Sequence, residues 1–247
     1  MSVLKYGLIG KSLKHSYSKK YFEELFEKNE FKAQYENLEF DSEEMLMEFF
    51  EKEGYKYKGL NVTIPYKEAV LSLLDEIHIE AEEIGAVNTI KIKKNKCIGY
   101  NTDVYGFQRS IKPFLTNKHE KALVIGTGGA SKAVHYVLKK LGIEVLFISR
   151  QGTGADNRFS YDSMNQNMID ACKLIVNCSP VGMAPYHDQE LNFPYNFLAS
   201  EHLVVDLIYN PEKTLFLQKS EKNGAATLNG MSMLKAQAFK SWEIWNE

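Results

Sequence analysis

A chain of 247 residues, 44% hydrophobic and 25% charged, has the length of two modest domains and enough apolar side chains to bury a core in each. Its net charge of −2 argues against nucleic-acid binding, which needs a basic footprint. No stretch approaches the ~20 apolar residues that cross a bilayer, and the amino-terminal segment lacks the apolar region of a signal peptide. The cysteines Cys97, Cys172 and Cys178 form no Cys-x-x-Cys pair, which argues for a reducing compartment, and the histidines show no metal-ligand spacing. The expectation is a cytoplasmic protein with no metal, no membrane and no nucleic-acid partner.

Strand and helix signals alternate along the chain. Tyr6–Gly10 reads as a strand, and Tyr21, Phe22, Leu25 and Phe26 recur at helical spacing between Ser18 and Lys28. Gln34–Glu39 is a second strand. Ser42 is placed to cap a helix carrying Met45, Leu46, Phe49 and Phe50 on one face. Leu60–Ile64 is a third strand and is followed by a helical stretch from Tyr66 to Leu74. Ala86–Lys93 and Lys96–Tyr100 read as a hairpin turning at Lys94-Asn95. The helix-like segment Asn101–Pro113 marks a joint between domains.

A second series opens at Lys121. Ala122–Ile125 is a continuous apolar run, as a strand buried on both faces requires. Val134, Val137, Leu138 and Leu141 then recur at helical spacing, with Gly142 as the C-cap. Strands follow at Val145–Ile148, Leu174–Asn177, Leu203–Leu207 and Ala225–Leu228, and a last helix spans Met231–Trp245. The expected fold class is α/β in two domains: a mostly parallel domain over 1–102, a Rossmann-type dinucleotide-binding domain over 103–230, and a carboxyl-terminal helix, 231–247, returning to the first.

The segment Gly126-Thr127-Gly128-Gly129-Ala130-Ser131 lies between a strand and a helix. Gly126 permits a tight turn, Gly128 and Gly129 allow close backbone approach, and the free N–H groups of the helix point at an anion. Ser131 replaces the third glycine of the usual dinucleotide pattern. The next strand ends Ser149-Arg150, where an NAD site usually carries an acid. A guanidinium there suits a 2′-phosphate through two parallel hydrogen bonds, which favours NADP(H).

Thr63 and Lys67 fall at the carboxyl end of a strand, the edge where open parallel sheets bind ligands. With His15–Ser18, Ala86–Thr89, Asn101–Phe107, Asn177–Met183, Asp206–Thr214 and Leu228–Ala238, these segments resemble the shikimate dehydrogenase family in order and over nearly the whole chain. The resemblance implies reversible reduction of 3-dehydroshikimate to shikimate by NADPH, in a cleft between a substrate domain and a Rossmann domain, by a monomer or homodimer. It implies that Ser16 and Ser18 bind the substrate carboxylate. Thr63, Asn88 and Gln237 hold ring hydroxyls, Tyr209 lines the site, and Lys67 and Asp103 are the catalytic pair and touch substrate. On the cofactor side it places Gly126, Thr127, Gly128, Gly129, Ala130, Ser149, Arg150, Asn177, Leu207 and Gly230.

Three features depart from the family pattern. Lys19 stands where a proline is usual, Ser149-Arg150-Gln151 replaces Asn-Arg-Thr, and the stretch from Gln151 to Tyr161 is short, which implies a more open pocket for the adenine end. Two other readings stay open at this level: an NAD-preferring quinate/shikimate dehydrogenase, and a catalytically silent nucleotide-binding regulator on the same fold.

Overall fold

The computed structural model describes residues 3–14 and 16–247. The chain forms two compact units, Met1–Thr102 with Gln237–Glu247, and Asp103–Ala236.

The first unit is built on β1 (Leu4–Gly10), β2 (Ala33–Glu39), β3 (Gly59–Val62), β4 (Glu76–Ile77), β5 (Thr89–Lys93) and β6 (Lys96–Tyr100), in the order β2-β1-β3-β5-β6-β4. β1 runs parallel to β2 and β3, while β5 is antiparallel to both β3 and β6, so the sheet is mixed. Helices α1 (Ser18–Lys28), α2 (Glu43–Lys52) and α3 (Ile79–Ile84) cover it. The Ser42 hydroxyl accepts the Met45 N–H at the start of α2, 3.4 Å away. Phe22 and Phe26 recur one turn apart on α1 and are buried, and Phe22 stacks on Tyr35 with ring centroids 4.6 Å apart.

The helical stretch expected over Tyr66–Leu74 is a turn followed by a 3-10 helix, Ala69–Leu73. The cause is a competing hydrogen bond. The Lys67 carbonyl accepts the Val87 N–H at 2.8 Å and leaves the helical ladder, while Leu71 N–H bonds Glu68 three residues back.

The second unit begins with α4 (Asp103–Ile111). Its sheet contains β7 (Lys121–Ile125), β8 (Glu144–Ile148), β9 (Arg158–Phe159), β10 (Leu174–Asn177), β11 (Leu203–Asp206) and β12 (Ala226–Leu228). All neighbours are parallel, in the order β12-β11-β10-β7-β8-β9. Counted within the unit this is the doubly wound order of a dinucleotide-binding sheet, with its switch point between β7 and β10. β10 and β11 are buried along their whole length, and β7 after its first residue, as strands covered on both faces must be. α5 (Gly129–Lys140), α6 (Gln166–Ala171) and α7 (Leu215–Lys222) complete the layers.

α8 (Met231–Asn246) starts in the second unit, and its residues from Gln237 onward belong to the first. There Trp245 packs on Tyr6 and Phe22, with ring centroids 5.0 and 5.2 Å away, and its indole N–H donates to the Ile90 carbonyl at 3.0 Å. Gly59 lies directly beneath: a Cβ there would stand 2.3 Å from Trp245 Nε1, so only glycine fits. Among the described residues, no helix is long and apolar enough to cross a membrane.

Two buried histidines close matching turns just before β7 and β11. His119 Nδ1 accepts the Thr116 N–H and His202 Nδ1 accepts the Ala199 N–H, each at 2.9 Å. A protonated ring has no lone pair to offer, so the His119 turn needs neutral imidazole. Burial, and then the neighbouring His202, hold His119 below the usual histidine range. A lowered folded-state value gives stability that is present above the unfolded pKa of about 6.5 and lost as pH falls through the folded value. His119→Asn keeps an acceptor near the Nδ1 position and removes the titration. The expected result is a flatter decline of the urea midpoint than wild type between about pH 7 and 5.

Candidate active site

The carboxyl ends of β1 and β3 position the polar residues of the first unit. Gly10 ends β1, and a Cβ there would meet Leu13 at 2.5 Å and Thr63 at 2.8 Å, so the glycine lets these two side chains close over the strand end. Thr63 follows β3 and is tied to β1 through its N–H to the Ile9 carbonyl at 2.8 Å. Ser16 accepts the Ser18 N–H at 3.3 Å, and its own N–H bonds the Leu13 carbonyl at 2.9 Å, which fixes the entry to α1 beside Leu13. His15 of this motif lies outside the described residues.

Asn88 is the centre of a buried polar network. Its side-chain oxygen accepts the Thr102 N–H at 2.7 Å and the Thr102 and Thr89 hydroxyls at 3.1 Å. Its amide donates to Gln237 Oε1 at 3.4 Å. Ser241 and Asn61 extend the network, with Asn61 donating to Ser241 at 3.0 Å and accepting from Tyr35 at 2.8 Å. The bond from the Lys67 carbonyl to Val87 puts Lys67 alongside the residue preceding Asn88. Lys67 is half-buried, and Asp103 follows Thr102 in the chain as the buried first residue of α4. Asn61, Thr89 and Thr102 lie in segments that carry the resemblance but have no role assigned by it, and Ser241 lies outside those segments. Their signal is a polar residue where burial calls for an apolar one, in β3, β5 and α8 and, for Thr102, between β6 and α4.

The second unit presents the glycine turn at the switch point. Gly126 has φ +103°, in the left-handed region, and a Cβ there would lie 3.1 Å from the Ser179 nitrogen and 3.2 Å from the Cys178 carbonyl carbon. Gly128 precedes α5 with no side-chain cap, the first turn holds no acid, and a Cβ at Gly128 would meet nothing within 4 Å. The helix start is therefore uncapped and uncrowded at Gly128, as a bound pyrophosphate requires. Ser131 substitutes for the third glycine by folding back: it is buried and its hydroxyl donates to the Gly128 carbonyl at 2.6 Å. Thr127 is exposed, and Gly129 and Ala130 begin α5 half-buried.

Ser149 and Arg150 follow β8, and Arg150 is exposed. The Ser149 N–H bonds the Phe159 carbonyl at 3.0 Å, and Gly152 N–H bonds the Ser149 carbonyl at 3.3 Å. A Cβ at Gly152 would sit 1.9 Å from the Phe159 carbonyl carbon, so glycine is obligatory in the turn that carries Arg150. The stretch after β8 is thus a closed loop that ends in β9. Asn177 ends β10 and is buried, Leu207 follows β11, and Gly230 presses on Leu207, whose oxygen would lie 2.0 Å from a Cβ at Gly230. Tyr209 is half-buried three residues after β11. Thr63, Asn88, Gln237, Ser16, Ser18 and Lys67 thus fall in one unit, and Gly126–Ala130, Ser149, Arg150, Asn177, Leu207, Tyr209 and Gly230 in the other, with Asp103 at its first position.

A doubly wound sheet whose switch point carries a glycine turn and an uncapped helix start, in a chain whose second α/β unit holds a buried polar network, is the build of a Rossmann-type oxidoreductase. Residues 8–90 match the family model described as the shikimate dehydrogenase substrate binding domain. A shikimate dehydrogenase (NADP(+)) of Aquifex aeolicus is 38% identical, with 98% of this chain and 90% of the relative covered. The crystal structure of shikimate dehydrogenase from Aquifex aeolicus superposes with a TM-score of 0.88 at 36% identity, over 99% of this chain and 92% of that one. The Thermus thermophilus shikimate 5-dehydrogenase in complex with shikimate gives 0.83 at 30% identity, over 98% and 92%. The chain belongs to the shikimate dehydrogenase family.

Proposed function

We propose that this chain catalyses the reversible, NADPH-dependent reduction of 3-dehydroshikimate to shikimate, and works in the cytoplasm as a monomer or homodimer. The observation that carries the reading is the bond between Asn88 and Gln237. These two residues are 149 positions apart, both are assigned to the substrate hydroxyls by resemblance, and they meet at 3.4 Å in one polar network.

The residues fit the cofactor: an open helix start at Gly128–Ala130, a left-handed turn at Gly126, and an exposed arginine rather than an acid after β8. Gly126–Ala130 would hold the pyrophosphate, Ser149 and Arg150 the 2′-phosphate, and Asn177, Leu207 and Gly230 the remainder. When bound, NADPH supplies the hydride.

Every other requirement falls on side chains. Ser16 and Ser18 hold the substrate carboxylate. Thr63, Asn88 and Gln237 bind ring hydroxyls, and Tyr209 lines the site. Hydride addition builds negative charge on the ketone oxygen, and the Lys67 ammonium, a compact cation with three donors, stabilises that charge and delivers a proton to the oxygen. Asp103 orients the reacting hydroxyl and the amine. In the oxidation direction Lys67 takes the proton back.

The test is purified protein with shikimate and NADP+, followed by the near-ultraviolet absorbance of reduced cofactor. The expected result is a rise that needs both reactants. No rise despite demonstrated NADP+ binding would favour a silent nucleotide-binding protein.

A further inference from the structure

Asp206 ends β11 and is fully buried. Its Oδ1 accepts the Asn177 amide at 3.0 Å and the Ile208 N–H at 3.1 Å, and its Oδ2 accepts the Thr214 hydroxyl at 2.6 Å. Among the described residues, no cation faces it.

Two of the three donors, Asn177 and the Ile208 N–H, begin connections to the nucleotide edge. Asn177 Oδ1 accepts the Ser179 N–H at 2.9 Å and the Ser179 hydroxyl at 2.7 Å, and Ser179 is the residue packed on Gly126. Ile208 accepts the Gly230 N–H at 3.0 Å, next to the Leu207–Gly230 contact. Thr214 caps α7 by accepting the Leu217 N–H at 3.3 Å.

The choice of an acid here needs a reason. A buried carboxylate without a cation is costly, and an amide of the same shape avoids that cost. Only a carboxylate, however, offers acceptors to all three donors at once; an amide turns its NH2 toward one of them. We propose that Asp206 is a positioning residue for cofactor binding, holding the Asn177–Ser179 turn, the Leu207–Ile208 segment and the start of α7 in register against the glycine turn at Gly126. The inference rests on the reading of this unit as an NADP(H) site.

Burial pushes the Asp206 carboxyl up to about 6, against the three hydrogen bonds that pull it down. The groups that feel its charge are the Cys178 thiol and the Tyr195 hydroxyl, with Asp103 also acting on Cys178 and Glu190 on Tyr195. A folded-state value above the unfolded one gives stability that is full below about pH 4 and lost as pH rises through about 6. A group retained only for stability is therefore at its poorest near neutrality.

The experiment pairs Asp206→Asn with wild type at about pH 8, measuring NADP+ affinity by calorimetry, KM for each reactant, and the urea midpoint. The expected result is NADP+ binding weakened roughly tenfold or more, with its KM rising in step, while the shikimate KM stays within about twofold and the midpoint does not fall. A folded variant with NADP+ affinity within about twofold of wild type overturns the inference. Should Asp206→Asn not fold, Thr214→Val, which removes one donor and keeps the charge, is read by the same affinity criterion. Wild-type protein that fails to bind NADP+ overturns both this inference and the cofactor reading; unaltered variants beside a binding wild type overturn this inference alone.

Discussion

Lys67→Ala is expected to lower kcat by roughly 10²–10⁴, the range for losing a general acid–base group, and to move the shikimate KM much less. The reason is that, in the proposed role, the ammonium would meet a charge which exists fully only once hydride has moved. Its removal takes away an interaction made in the transition state, not one shared with bound substrate. The backbone at this position is held independently of the side chain, because the Lys67 carbonyl is bonded to Val87 and the chain continues into the 3-10 helix over Ala69–Leu73. Truncation should therefore leave the fold intact, and steady-state kinetics of the folded variant isolate the proton chemistry. A near-normal kcat removes Lys67 from the mechanism.

Arg150→Ala is expected to weaken NADPH binding far more than NADH binding. Two charge-assisted hydrogen bonds to a 2′-phosphate, at roughly 1.5–3 kcal/mol each, make the expected loss for NADPH at least about 100-fold, with NADH little changed. Arg150 is exposed, so salt screens part of this, and the contrast is largest at low ionic strength. The loop that carries it is fixed by Gly152 against Phe159 and by the Ser149–Phe159 backbone bond, neither of which involves the guanidinium. Calorimetric titration of both cofactors reads the result. Equal losses for the two would mean that the arginine does not read the phosphate, and would reopen the NAD-preferring alternative.

Much of this architecture is legible in the residues. Ala122–Ile125 reads as a doubly covered strand because nothing polar interrupts it, and β7 is buried there. Trp242 and Trp245 mark the last helix, and its end packs on the aromatic cluster of Tyr6 and Phe22. The short elements are not legible. α3 and α6 have six residues each and α7 has eight, too few turns for a periodicity to emerge, and β4 and β9 have two. The stretch after Tyr66 is misread as a helix because a bond to Val87, distant in sequence, diverts a carbonyl.

The site divides in the same way. Local chemistry marks the glycine turn, Arg150 and Lys67. Long-range pairing makes the Asn88 network and the Asp206 hub, where Thr102, Ser241, Asn177 and Thr214 converge from separate elements. A buried acid such as Asp206 looks in the sequence like any aspartate at a strand end, and only its three donors distinguish it.

Direct transfer of hydrogen from cofactor to substrate is the core of the account, and isotopic labelling reads it without relying on rates. 3-Dehydroshikimate is incubated with the protein and NADPH deuterated at the transferring position, and the product is examined by mass spectrometry. Shikimate heavier by the mass of the label, with deuterium at the carbon that carried the ketone, is the predicted result. Unlabelled shikimate, or no conversion by protein that binds NADPH, would contradict it.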